Sequence, residues 1–130
     1  MDKMLVYKCL LLLFPAVIFL QSGLDKVFKH EENKNYIHAV FARTFLKPLS
    51  GLLFYLLLIT ELITGSLAIA GMYMMFAEGN DTMGYYTFLL SVITLIGLLA
   101  GQRIARDYAG ASGIMPYLIM ATFALLIYSL

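Results

Sequence analysis

Charge is almost missing from four long stretches of this chain. Residues 4–23, 49–77, 84–101 and 114–130 make up roughly two thirds of the sequence, and only Lys8 and Glu61 interrupt them with charge. Each stretch meets the roughly 17–25 apolar residues needed to cross about 30 Å of hydrocarbon. The composition agrees: 62% of the residues are hydrophobic and 13% charged, against roughly 45–50% and 25% in a soluble domain. The expected fold is all-α, an integral membrane four-helix bundle in a single domain spanning 1–130. Its helices fall at about 4–24, 49–77, 84–101 and 114–130, and a polar and amphipathic loop covers 25–48. Four crossings leave no room for a separate soluble catalytic domain.

Several kinds of chemistry drop out. A net charge of +1 offers no basic field for nucleic acid. The single cysteine, Cys9, makes neither an internal disulfide, a CxxC pair nor a thiolate metal site. Both histidines, His30 and His38, fall in the first connection, outside the apolar runs. No phosphate-binding glycine loop, nucleophile elbow or HExxH is present. No metal ligand set and no catalytic residue can be named, so the chain is read as not catalytic on its own. Carboxylate, amine, amide and hydroxyl groups, or a bound molecule, are left to carry any function. The first run is not read as a signal peptide. Its apolar stretch exceeds the usual 7–15 residues and Phe19-Leu20-Gln21 is a poor cleavage site.

Breakers and caps set the expected connections. Pro15 lies mid-helix, where it removes a donor, predicts a kink and frees the Leu11 carbonyl. Residues 25–35 are strongly hydrophilic and reach water. In 36–46, Ile37, Val40, Phe41 and Phe45 recur at helical spacing. That pattern predicts a short amphipathic helix in the interface plane, the alternative being an apolar lead-in to the second span. Pro48 suits the first turn of the second span, which at 29 residues is about 43 Å long and must tilt or project. Gly97 and Gly101 have the GxxxG spacing of a close helix approach. Residues 109–113 read as a loose connection, with Pro116 opening the last helix. Most lysines and arginines cluster in 25–48 and 102–113. The positive-inside rule therefore puts those two loops in the cytoplasm and both termini outside.

Glu61 demands a physical explanation. A carboxylate near mid-membrane costs on the order of 2.5–3.5 kcal/mol on insertion scales and turns towards protein. Thr64, Gly65 and Ala68 extend a small stripe from it, while Leu52, Leu56, Ile59 and Ile63 form an opposite, bulky face. At matching depth only Ser91, Thr94, Thr122 and the Leu11 carbonyl are available. None is a cation, and burial then favours the uncharged acid. If the second span projects far past the membrane, Glu61 is shallower and can meet Lys26, Gln21, Gln102 or Arg103. Three roles stay open for it: hydrogen-bonding staple, ligand contact or proton carrier. Gln21 and Lys26, with Gln102, Arg103, Arg106 and Asp107, form a second polar group, able to bind a quinone headgroup, a lipid phosphate or a small anion, or simply to anchor helix ends. Lys8 reads as a lysine snorkelling to the interface.

Phe19-Leu20-Gln21-Ser22-Gly23-Leu24-Asp25-Lys26 resembles the F-x-x-x-G-x-x-K end of the first helix in the DoxX-like family. The segment from Glu61-Leu62 through Gly65 to Gly71 is similar to that family's E-L-x-x-G-x-x-L-x-x-G second helix. The resemblance implies a small four-helix protein of the bacterial inner membrane, with Gly23, Lys26, Glu61, Gly65 and Gly71 as the matching positions. It also implies company, since some members join quinone-reducing sulfur oxidation or membrane redox complexes. The expected function is an accessory or quinone-associated subunit of a membrane oxidoreductase or other membrane complex. Its partners would be the bilayer and either larger complex components or further copies of itself. Quinone is the cofactor considered, and no covalent group is expected. The alternative is a proton-coupled small-molecule carrier that titrates Glu61. The candidate site is Glu61, Thr64, Lys26, Gln21, Gln102 and Arg103.

Overall fold

A computed structural model describes residues 3–130. Among these residues five α-helices follow one another: α1 (Lys3–Phe28), α2 (His30–Val40), α3 (Ser50–Glu78), α4 (Thr82–Ile104) and α5 (Tyr108–Ser129). Four of them, α1, α3, α4 and α5, are long and apolar enough to cross a membrane, and the protein is an all-α four-helix membrane bundle. In lipid the helix is the natural solution for a single chain, because each turn satisfies its own backbone groups.

The bundle is two packed pairs joined through α3. α1 lies along α3, α5 lies along α4, and α3 and α4 connect the pairs. The α1–α3 seam is close because of glycine. A Cβ on Gly65 would sit 2.9 Å from the Leu20 backbone nitrogen, and one on Gly71 would come within 3.2 Å of the Gly84 nitrogen across the α3–α4 seam. Missing side chains are what let these backbones approach, as expected where lipid supplies no hydrophobic drive. The Gly97–Gly101 pair does not behave this way. Gly97 faces open space and Gly101 meets only the Phe41 ring, so the spacing there marks no helix–helix contact.

The face assignment for α3 holds. Thr64, Gly65 and Ala68 are buried, and Leu52, Leu56, Ile59 and Ile63 are exposed. Between the ends the core is largely apolar, built on Leu12, Ala68, Met75, Phe88 and Ala124, with the hydroxyls of Thr64, Thr87 and Ser91 buried among them.

Several boundaries differ from expectation. α1 continues four residues past 24, and only Lys29 separates it from α2. The hydrophilic stretch from 25 is helix because its backbone bonds carry on: Lys29 N–H donates to Asp25 O and Asn33 N–H to Lys29 O. The short helix therefore occupies residues 30–40 rather than 36–46. Glu31 and Glu32 in its first turn suit a helix N-terminus. After Val40 the Thr44 hydroxyl donates to Phe41 O and accepts from Leu46 N–H, turning the chain towards Pro48. Phe41 is consequently buried while Phe45 is 77% exposed. Pro48 lies in a 3₁₀ turn, Lys47–Leu49, just ahead of α3. α1 is one helix through Pro15, which is buried.

The last span also begins earlier. Asp107 caps α5 by accepting from the Gly110 N–H at 3.1 Å. The small residues 109–113 are thus helical, and Pro116 lies inside the helix rather than in its first turn. At the opposite end the Lys8 side chain reaches the α3–α4 turn. Its ammonium meets Asp81 Oδ2 at 2.8 Å and lies over the Tyr128 ring, whose hydroxyl donates to the Lys8 carbonyl at 2.6 Å. That contact ties α1, the α3–α4 turn and the end of α5 together.

Candidate functional site

The carboxylate that seemed to lack a cation has one. Lys26 Nζ is 3.0 Å from Glu61 Oε1, with side chains 10% and 3% exposed. Both helices prepare this contact. Ser22 precedes Lys26 by one turn of α1, and its hydroxyl accepts from the ammonium at 2.8 Å. Gly23 on α1 and Gly65 on α3 have no side chain to hold the helices apart. Long, oppositely charged side chains then meet across a close seam in which both are buried. Of the four partners expected for a shallower Glu61, Lys26 is the one that meets it. α3 has 29 residues, and Glu61 lies eleven residues past its first, opposite the last turn of α1.

The hydroxyls considered as partners turn elsewhere. Thr64 donates to Thr60 O at 2.7 Å, Ser91 to Thr87 O at 2.7 Å and Thr94 to Leu90 O at 2.8 Å. Thr122 likewise bonds Leu118 O and Ile119 O and is exposed. Each hydroxyl satisfies itself on the preceding turn of its own helix, which is the nearest acceptor available in a dry setting.

Two cavities flank the pair. The first, of about 540 Å³, lies between α2, α3 and α4. Tyr36, Ile37, Val40 and Phe41 cover it from one side, and Leu53, Leu57 and Leu98 line it from the spans. Lys26, Asn33, Thr94, Gln102 and Asp107 supply polar groups. This mixture of apolar wall and sparse polar groups is that of a small-molecule site. The second, of about 790 Å³, lies between α1 and α5, with Phe19, Leu95 and Tyr117 in its wall. Gln21, Ser22, Asp25, Lys29 and Glu61 line it as well. Lys26 therefore faces the first cavity and Glu61 the second, with their ion pair in the partition.

The six expected site residues divide accordingly. Lys26 and Glu61 touch. Thr64 is buried one turn beyond Glu61. Gln102 shares the first cavity with Lys26 and Gln21 shares the second with Glu61. Gln102 Oε1 is buried without a hydrogen-bond partner among the described residues. Arg103 lies outside both groups: it is exposed, with its guanidinium 4.8 Å from the Tyr108 ring centre. Ser22 and Asn33 were not expected. Ser22 was detectable from its four-residue spacing to Lys26, whereas Asn33 enters only because α2 folds back over α3. Asn33 also donates to Asp25 O and Lys29 O, closing the end of α1.

None of the protein families, curated proteins or solved structures compared with the chain matches it.

Proposed function

We propose that the protein is a DoxX-like subunit of the bacterial inner membrane that holds a quinone for a larger oxidoreductase or related membrane complex. One observation carries the reading: buried Lys26 lines a largely apolar cavity of about 540 Å³ beneath α2. An ammonium has three N–H donors. Ser22 takes one, and even with a second given to Glu61, one remains for a carbonyl oxygen. The apolar walls suit the ring and the start of an isoprenoid tail. The chain itself has one cysteine and no histidine within its spans, so electrons would come from or pass to a partner. The lysines and arginines of the α1–α3 connection and the α4–α5 turn favour an orientation with those segments in the cytoplasm. The test is native mass spectrometry of the protein released in mild detergent. Retained quinone and partner subunits are expected, with Lys26→Met lowering quinone occupancy about tenfold, the usual weight of one buried charge-assisted hydrogen bond. A monodisperse protein carrying neither would end this reading.

A second reading has its own support. Along the end of α1 and the junction that follows it, Gln21, Ser22, Asp25 and Lys29 form a polar stripe lining the second cavity, and Glu61 lines it too. Such a route would suit a proton-coupled carrier with Glu61 as the titrating group. Proton uptake into proteoliposomes should then be lost in Glu61→Gln. Equal flux in variant and wild type removes it.

A further inference from the structure

We infer that Glu61 sets the charge class of the ligand in the first cavity: the site selects an uncharged amphiphile with a hydrogen-bond acceptor at its head and rejects an anionic one. The inference deepens the quinone reading and rests on the same cavity, but it names a property that a quinone shares with other neutral molecules.

The argument begins with the ammonium. A buried lysine lining an apolar cavity would ordinarily be an anion site, because an unpaired cation away from water calls for a counter-ion. Here the counter-ion is built in. Glu61 reaches Lys26 at 3.0 Å from the far side of the partition, and it lines the other cavity, not this one. Its carboxylate thus cancels the charge of Lys26 without occupying ligand space. The first cavity keeps a strong donor and loses the net positive field. A carboxylate, sulfonate or phosphate entering it would place a second anion against a lysine already neutralised, and would leave its own water for an apolar wall of Ile37, Val40, Leu53 and Leu57. Asp107, also in the lining, opposes an anion further. A neutral carbonyl or sulfone oxygen meets neither penalty and accepts the remaining N–H of Lys26. Among the described residues no lysine or arginine besides Lys26 lines the first cavity: Lys34, Arg103 and Arg106 adjoin its lining in sequence without entering it, and Lys29 lines the second cavity.

Removing Glu61's charge should therefore invert the preference. In Glu61→Gln the lysine keeps its hydrogen bond to Ser22 but has no counter-ion, and an anionic headgroup can supply one. The probes are 1-decanesulfonate and decyl methyl sulfone, which share a chain and differ in headgroup charge, together with decylubiquinone. Binding is measured by calorimetry on the full chain in phosphatidylcholine nanodiscs. Wild type should bind the sulfone at least about tenfold more tightly than the sulfonate, and Glu61→Gln should tighten sulfonate binding about tenfold or more. In the double variant Lys26→Gln/Glu61→Gln, neither charge remains, and the gain in sulfonate binding should vanish.

Equal or tighter sulfonate binding by wild type overturns the inference, and that comparison needs no variant to fold. Failure of a folded Glu61→Gln to gain sulfonate affinity overturns it as well. Sulfone preferred over sulfonate, with no decylubiquinone bound, upholds the charge selection and removes the quinone. Decylubiquinone bound alongside an equally tight sulfonate does the reverse.

Discussion

At the scale of single residues, one substitution has opposite expected outcomes at two glycines. A methyl on Gly65 would meet the Leu20 side chain and its backbone nitrogen, and backbone cannot step aside as a side-chain tip can. Gly65→Ala should destabilise the bundle by about 1–3 kcal/mol, the range for overpacked cores. Gly113 is helical, exposed and faces nothing within 4 Å. Gly113→Ala should stabilise it by roughly 0.5–1 kcal/mol through lower backbone entropy in the unfolded chain. Denaturant titrations in detergent measure both. The ion pair allows a sharper comparison. Lys26→Met or Glu61→Gln alone leaves one buried charge uncompensated, a loss of about 3–5 kcal/mol, while Lys26→Met/Glu61→Met should lose much less than the sum. Glu61 was legible in the sequence because a carboxylate inside an apolar run has so few permitted surroundings. Its partner was not. Lys26 lies 35 positions away in a polar segment, and choosing it over a mid-membrane hydroxyl required knowing how far α3 slides past the end of α1.

At the scale of elements, the spans could be read from hydropathy but their ends could not. Apolar content says what lipid will accept, whereas a helix stops where its last backbone groups find other partners. α5 shows the difference. Residues 109–113 contain two glycines and a serine, poor helix formers in isolation, yet Asp107 caps the turn they form. Asp107→Ala should cost about 1 kcal/mol and speed amide exchange in the first turn of α5, with later turns unaffected. α2 is the converse case, a helix with no buried residue. Two histidine contacts pin it to α3: His38 Nδ1 lies 2.9 Å from Ser50 Oγ, and His30 Nε2 lies 2.9 Å from the Tyr55 hydroxyl. Ser50→Ala with Tyr55→Phe removes both at a cost of about 1 kcal/mol each. Exchange of the α2 amides should then rise several-fold while α3 and α4 keep their protection. The histidines, discounted as ligands because they fall outside the apolar runs, thus have a plain role in holding the cover of the first cavity.

At the scale of the whole molecule, the ion pairs that join the spans sit at two ends of a largely apolar core and do different work. One end holds the Lys26–Glu61 partition with its cavities. The other holds Lys8, Asp81 and Tyr128, and lines neither cavity. Eighteen residues of α1 separate Lys8 from Lys26, about 27 Å along a helix, with Leu12, Pro15 and Phe19 packed between them. The far clasp therefore reads as a fastening that brings the α3–α4 turn and the end of α5 onto α1. Tyr128→Phe keeps the ring against Phe88 but removes the donor to the Lys8 carbonyl. It should lower stability by about 0.5–1.5 kcal/mol. Because the two ends share no partner, combining Tyr128→Phe with Lys26→Met should give losses that add to within about 0.3–0.5 kcal/mol. Binding of an uncharged amphiphile in the first cavity should be unchanged by Tyr128→Phe alone. Coupling well beyond that margin, or an affinity that follows the clasp, would mean that the four spans shift as one body, and the partition would then report the packing of the entire bundle.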